Sequence, residues 1–170
     1  MSLELYTKLS QRENALIEKL VSRLRMSAAP HYQDMEIGLL EQRAARVVEA
    51  FILSLAEDPD TFVEYIRDIA EERISEGYLL GEIQFALNIL EESAWQIVVG
   101  DIPPRDHVFH LGRISGAISA SKDTLARIYL NHMVIARAEV DRLEAKIGTL
   151  CDRSGQELQM DGDEFPDLDA

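Results

Sequence analysis

The sequence predicts an all-α bundle of five to six helices that ends in one long helix. Three observations predict it. Apolar residues recur every three or four positions along most of the chain, and no segment alternates with period two. The 9 glycines and 5 prolines fall where those periodic stretches stop. With 46% hydrophobic residues among 170, the chain can bury one core without disulfides or a structural metal.

The first helix is expected from about Ser2 to Met26, with Leu9, Leu16, Leu20 and Leu24 on one side and Ile17 and Val21 widening the stripe. Pro30 ends it, since proline cannot continue a helix and disfavours helical backbone in the residue before it. The second should run from Asp34 to Glu57 on Ile37, Leu40, Ala44, Val47, Val48, Phe51 and Leu55. Asp58 reads as an N-cap, with Pro59 opening a third helix to Glu76 that turns Phe62, Ile66, Ile69 and Ala70 inward. Gly77 is placed as a left-handed C′ residue. A fourth helix follows from Leu79 or Leu80 to Val99, and Ile102-Pro103-Pro104 breaks the chain. The remainder, 104–150, is helical and expected as two segments, 104–115 and 117–150, with a bend at Gly116, because Gly112 and Gly116 each cost about 1 kcal/mol relative to alanine. The boundary of the helical domain is set at 150. Residues 151–170 carry seven acidic groups and one basic, with no helical period, and read as an acidic, disordered tail.

The charge balance excludes several function classes. Seventeen basic against 31 acidic residues leave a net charge of −14, and the pI is near 4.6. That argues against non-specific nucleic-acid binding and against docking on anionic membranes, both of which need clustered Lys and Arg. No N-terminal basic and apolar signal is present, and no stretch approaches the roughly 20 apolar residues of a membrane span. A cytoplasmic protein is expected. The single cysteine, Cys151, rules out an internal disulfide.

Catalytic and metal signatures are weak. His107 and His110 share a helix face, and with Asp106 nearby they are candidate ligands, as is His132. A zinc site needs three or four ligands, and no third histidine is adjacent. The Glu-x-x-His signature of di-iron bundles fails, because Ala28, Pro104, His107 and Tyr129 stand three residues before the four histidines. Neither a nucleophile elbow nor a phosphate-binding loop occurs. Asp161-Gly162-Asp163-Glu164 is not a calcium loop, since Phe165 and Pro166 occupy positions that need a ligand and a glycine. The chain is not expected to be an enzyme, and no cofactor is assigned.

The clearest pattern lies in the last helix. Tyr129, Met133, Ala136, Val140, Leu143, Ile147 and Leu150 are spaced 4, 3, 4, 3, 4 and 3, a heptad seam with Met133, Val140 and Ile147 at a and the others at d. It predicts a homodimer interface; the alternative is an amphipathic helix buried in the monomer. In a parallel pair, Glu139 would face Glu144 of the second copy and His132 would face Arg137, both neutral to repulsive. Antiparallel packing or a four-helix interface therefore stays open.

The run Ala70-Glu71-Glu72-Arg73-Ile74-Ser75-Glu76-Gly77-Tyr78-Leu79-Leu80-Gly81-Glu82-Ile83, followed by Leu90-Glu91-Glu92-Ser93-Ala94-Trp95, resembles the N-terminal sensor domain of RsbR-type stressosome regulators. The features that carry the likeness are Arg73, the Gly77-Tyr78 pair, and a helix opening on Leu80 and Glu82. The resemblance implies a globin-like domain without haem, dimeric, with a long final helix leading to an output domain. It also implies a role in stress-response signalling, by ligand or protein binding. RsbR-type proteins carry a STAS domain after that helix; here an acidic segment follows, so no attached output domain is expected. Two alternatives stand beside a regulatory module acting on an unidentified signalling partner. One is a haem- or metal-binding sensor using His107, His110 or His132, although 107 and 110 fall later than a proximal ligand does in globin order. The other is a helical adaptor working through its acidic tail. Arg73, flanked by Ile69, Ala70 and Ile74, is either half-buried against a carboxylate or part of a surface ion pair.

Overall fold

A computed structural model describes residues 2–56, 58 and 60–160; the side chains of Ser2 and of 150–160 lie outside the described set. The elements are α1 (Ser2–Gln11), α2 (Glu13–Arg25), α3 (Pro30–Gln33), α4 (Ile37–Ala56), α5 (Asp60–Ser75), α6 (Leu80–Asp101), a 3-10 turn (Pro104–Asp106) and α7 (His107–Met160). The described residues thus form seven α-helices, where five to six were expected.

Two differences account for the change in number. The first helix is interrupted at Arg12, whose φ of −110° and ψ of 11° leave the helical region. No glycine or proline marks the spot. The Arg12 guanidinium instead reaches across to Asp101 at the end of α6, at 3.0 Å, so a long-range ion pair accompanies the break. The second addition is α3, one turn opened by Pro30 at its first position and buried through Tyr32.

The other boundaries follow local chemistry. The Asp58 carboxylate accepts the Asp60 N–H at 3.0 Å, the N-cap role its position predicts; Pro59 lies outside the described residues. At the end of α5, Gly77 has φ +86°. Its N–H donates to the Ile74 carbonyl at 3.0 Å, and the Tyr78 N–H donates to Arg73 at 2.9 Å. This pair of bonds is the Schellman cap that needs a left-handed residue at C′. The Leu79 N–H then donates to Glu82 Oε2 at 2.9 Å and starts α6.

The expected division into two segments at Gly116 is absent. Helix α7 passes through Gly112 and Gly116 without interruption, with Ile114, Ala117 and Ile118 buried around them. Packing of those neighbours outweighs the local glycine cost. The helix also continues to Met160, so 151–160, expected as tail, prolong α7. Residues 161–170 of that expected tail lie outside the described set.

The chain divides into two units at Tyr129/Leu130, where the sequence placed the boundary at 150. In the first, α4 packs on α1, α2 and α5, and α6 packs on α1 and α2. Leu5, Leu9, Leu16, Leu20, Phe51, Phe62, Ile66 and Leu87 fill the centre, and the Phe51 and Phe62 rings meet edge to face at 5.4 Å. Residues 107–129 of α7 belong to this body through Ile114, Ile118 and Leu125. The second unit contains α7 from Leu130 onward. None of the helices among the described residues is long and apolar enough to cross a membrane.

Candidate functional site

The Schellman turn at the end of α5 sets the geometry of a polar cluster. It places Arg73 and Tyr78 where a helix end and the residue after it make their customary contact, and the Arg73 guanidinium lies 5.6 Å over the Tyr78 ring. Tyr78 is buried and gathers four elements. The His31 ring of α3 stacks on it at 4.4 Å, and Tyr32 meets it edge-on at 5.3 Å. Arg43 of α4 donates to its hydroxyl at 3.2 Å. The Tyr129 hydroxyl of α7 donates to its backbone carbonyl at 2.8 Å.

Arg73 is buried, at 8% exposure, and so is not part of a surface ion pair. Its Nη1 donates to Glu76 Oε2 at 2.9 Å and lies 3.1 Å from Glu72 Oε1. Arg43 grips the same Glu76 with both terminal nitrogens, at 2.6 and 3.0 Å. The Arg43 hydrogen bond and the charge of Arg73 outweigh burial and hold the Glu76 carboxyl below the usual carboxylate range. Glu82 is also buried and is satisfied by its bond from Leu79 and by His31 Nδ1 at 2.8 Å.

Behind Arg73 lies an interhelical cavity of about 50 Å³. Leu24, Leu40, Val47, Ile66 and Leu87 are among its apolar walls, and Tyr32, Tyr65, Arg43 and Arg73 supply its polar ones. Burial raises the ionisation of both tyrosines above the ordinary phenol value, so both remain neutral donors. Arg73, Gly77 and Tyr78, read from the sequence, therefore sit together at this site. Glu82 was read only as part of the opening of α6, and Arg43, Tyr32, Tyr65 and His31 were not singled out. Arg43 carried one signal: it lies three residues after Leu40 and four before Val47, a charge set on an apolar stripe.

The three histidines do not form one ligand set. His107 Nε2 is 2.7 Å from the Ile102 carbonyl, at the break before α7. His110 is fully buried, with neither ring nitrogen hydrogen-bonded; Glu4 Oε2 lies 3.9 Å away. His132 is an exposed residue of the second unit. Among the described residues no group of three or more His, Cys, Asp or Glu is placed to hold a metal.

Burial is the main cause that lowers the His110 pKa from 6.5; Glu4 and Asp106 oppose it, while Arg113 and the N-terminus add to it. As pH falls through about 6.5 the unfolded chain takes up this proton first, so the contribution of neutral His110 is present above that pH and declines below it. Urea melts from pH 7 to pH 5 should show a steeper loss of stability for the wild type than for His110→Leu. Parallel losses would show that another group governs the acid side.

The seam residues fall on both sides of the unit boundary. Tyr129 is half-buried in the first unit, its hydroxyl committed to Tyr78. Met133, Ala136, Val140, Leu143 and Ile147 are exposed in the second, and the Leu150 side chain lies outside the described set.

No family model matches this chain, and no curated protein does. Two solved structures share its architecture: the globin domain of E. coli DosC in a ferric and in a ferrous form. They are 12% and 11% identical to it, each match covering 74% of this chain and 87% of that domain with a TM-score of 0.64. The fold is globin-like. A globin fold implies haem, and the residues here do not fit one. The interhelical cavity offers about 50 Å³ and has no histidine in its lining. Pockets for drug-sized ligands, themselves smaller than a porphyrin, already span roughly 300 Å³ or more. His110 packs against the α1 side of the body, near Glu4, and does not line that cavity.

Proposed function

We propose that this chain is a non-enzymatic regulatory module of the sensor type, as its RsbR-like run implies, and that it works as a homodimer paired through α7 beyond Leu130. One observation carries this reading. Every described residue from 130 to 149 is exposed in the single chain, including Leu130, Met133, Val134, Ile135, Val140, Leu143 and Ile147. A continuous apolar row left in water marks an interaction surface, and its heptad spacing suits a second helix of the same kind.

The flanking charges support four-helix packing over a parallel two-stranded coil. Glu139 lies 3.6 Å from Arg142 and Arg137 lies 3.1 Å from Asp141, so these charges have partners on their own helix. Val134 and Ile135 fall outside the a/d seam yet are apolar, at 62% and 67% exposure. Together with Met133 they make this turn apolar all round, and a helix of that kind is covered on more than one side.

In this reading the globin-like body biases the pairing. Tyr129, the last residue of the first unit, is held by the Tyr78 carbonyl beside the Arg73 cluster. A ligand or partner protein that favours one arrangement of this cluster by about 1–3 kcal/mol would shift the start of the pairing segment. Sedimentation across the micromolar range tests the premise. The expected species is twice the 19.2 kDa chain mass. A monomer at every concentration would overturn it.

A further inference from the structure

We infer that the cavity behind Arg73 is a binding site for a short-chain monocarboxylate, a carboxylate head on a tail of one or two further carbons. Its regulatory consequence rests on the sensor reading above; its occupancy does not.

The polar side of the cavity has donors that a ligand can engage in place of water. Arginine carries five N–H donors, and every ion-pair contact of Arg73 runs through Nη1. The Arg73 contacts leave its Nε and Nη2 unused, and neither atom is a buried donor without a partner, so both are open to water or a ligand. The Nε–Nη2 edge is the fork that meets a carboxylate with two parallel hydrogen bonds. The hydroxyls of Tyr32 and Tyr65, on residues that line the same cavity, are not among the buried atoms that lack a partner, so they too are open to water or a ligand. The nearby acids are already engaged. Glu76 is taken by Arg43 and Arg73, and Glu72 is 56% exposed and screened by water. Glu82 is turned to His31 and Leu79.

Size and lining choose the ligand class. A water needs roughly 10–15 Å³ of such space, so 50 Å³ takes about three to five atoms of that size. Acetate and propionate have about four and five non-hydrogen atoms. An engineered cavity that admits benzene is near 150 Å³, so aromatic acids are excluded. Leucine, isoleucine and valine side chains form the rest of the wall and suit a short alkyl tail. A halide would use the guanidinium and leave the apolar wall unfilled.

Calorimetric titration of the full chain with sodium acetate and propionate, against sodium chloride at equal ionic strength, tests the site. At least one acid should bind saturably at one site per chain, and chloride should not. Tyr32→Phe and Tyr65→Phe keep the rings and should each weaken that binding about tenfold; Arg73→Lys keeps the charge but loses the fork and should weaken it further. No saturable binding by either acid would mean that the cavity holds water only and would overturn the proposal. So would equal binding of chloride, or unchanged affinity in all three variants. Sedimentation of the same samples separates the two readings. A dimer that binds no acid removes the site and leaves the pairing; a monomer that binds propionate does the reverse.

Discussion

Replacing Tyr78 with alanine is expected to destabilise the globin-like body by about 3–5 kcal/mol, the usual cost of truncating a buried aromatic. For a chain of this size that corresponds to a fall in Tm of roughly 6–20 °C. The cost comes from several elements at once. The ring is stacked on His31, edge-on to Tyr32, and beneath Arg73, while its hydroxyl accepts from Arg43. Removing it opens a void between α3, α4 and α5 and leaves the buried Arg73 without its covering ring. Tyr78→Phe keeps every ring contact and loses only the Arg43 bond, and Arg43 retains Glu76. It should cost about 1 kcal/mol or less. Thermal and urea melts of the two variants give the comparison. Equal destabilisation would mean that the hydroxyl, and not the ring, ties the cluster together.

That cluster also shows where sequence reading stops. The Arg73–Gly77–Tyr78 junction was legible because its logic is local: a helix end, a left-handed glycine and an aromatic that folds back are all within six residues. Asp58 and the Leu80 start of α6 were legible for the same reason. The polar partners were not. Arg43 lies 35 residues from Tyr78, His31 lies 51 from Glu82, and Tyr129 lies 51 from Tyr78. Nothing in the spacing of one helix states which residue of another it will face. The two helix-continuity errors have the same origin. At Arg12 a long-range ion pair accompanies a break that no local residue requires, and at Gly116 buried neighbours hold together a helix that local propensity would interrupt. The globin-like arrangement was reached through a short resemblance, whereas the seam of α7 was read from period alone. The cavity lay beyond both, since its walls come from five helices.

Leu143→Asp is expected to abolish the proposed dimer while leaving the chain folded. Leu143 is 48% exposed in the single chain, so a carboxylate there meets water and should change the stability of the isolated fold by no more than about 0.5 kcal/mol. In the paired state the same carboxylate would be buried at a d position against apolar side chains, without a partner, at a cost of several kcal/mol. A penalty of only about 2.8 kcal/mol already weakens association a hundredfold. Ala145→Asp supplies the control. It adds the same charge two residues away, at an f position on the far side of the seam, and Ala145 is exposed. Net charge alone would affect both variants alike, whereas the seam requires Leu143→Asp to sediment as monomer and Ala145→Asp as dimer. A Leu143→Asp protein that still pairs would place the contact elsewhere, and the exposed row of Met133, Val140 and Ile147 would then need a different partner.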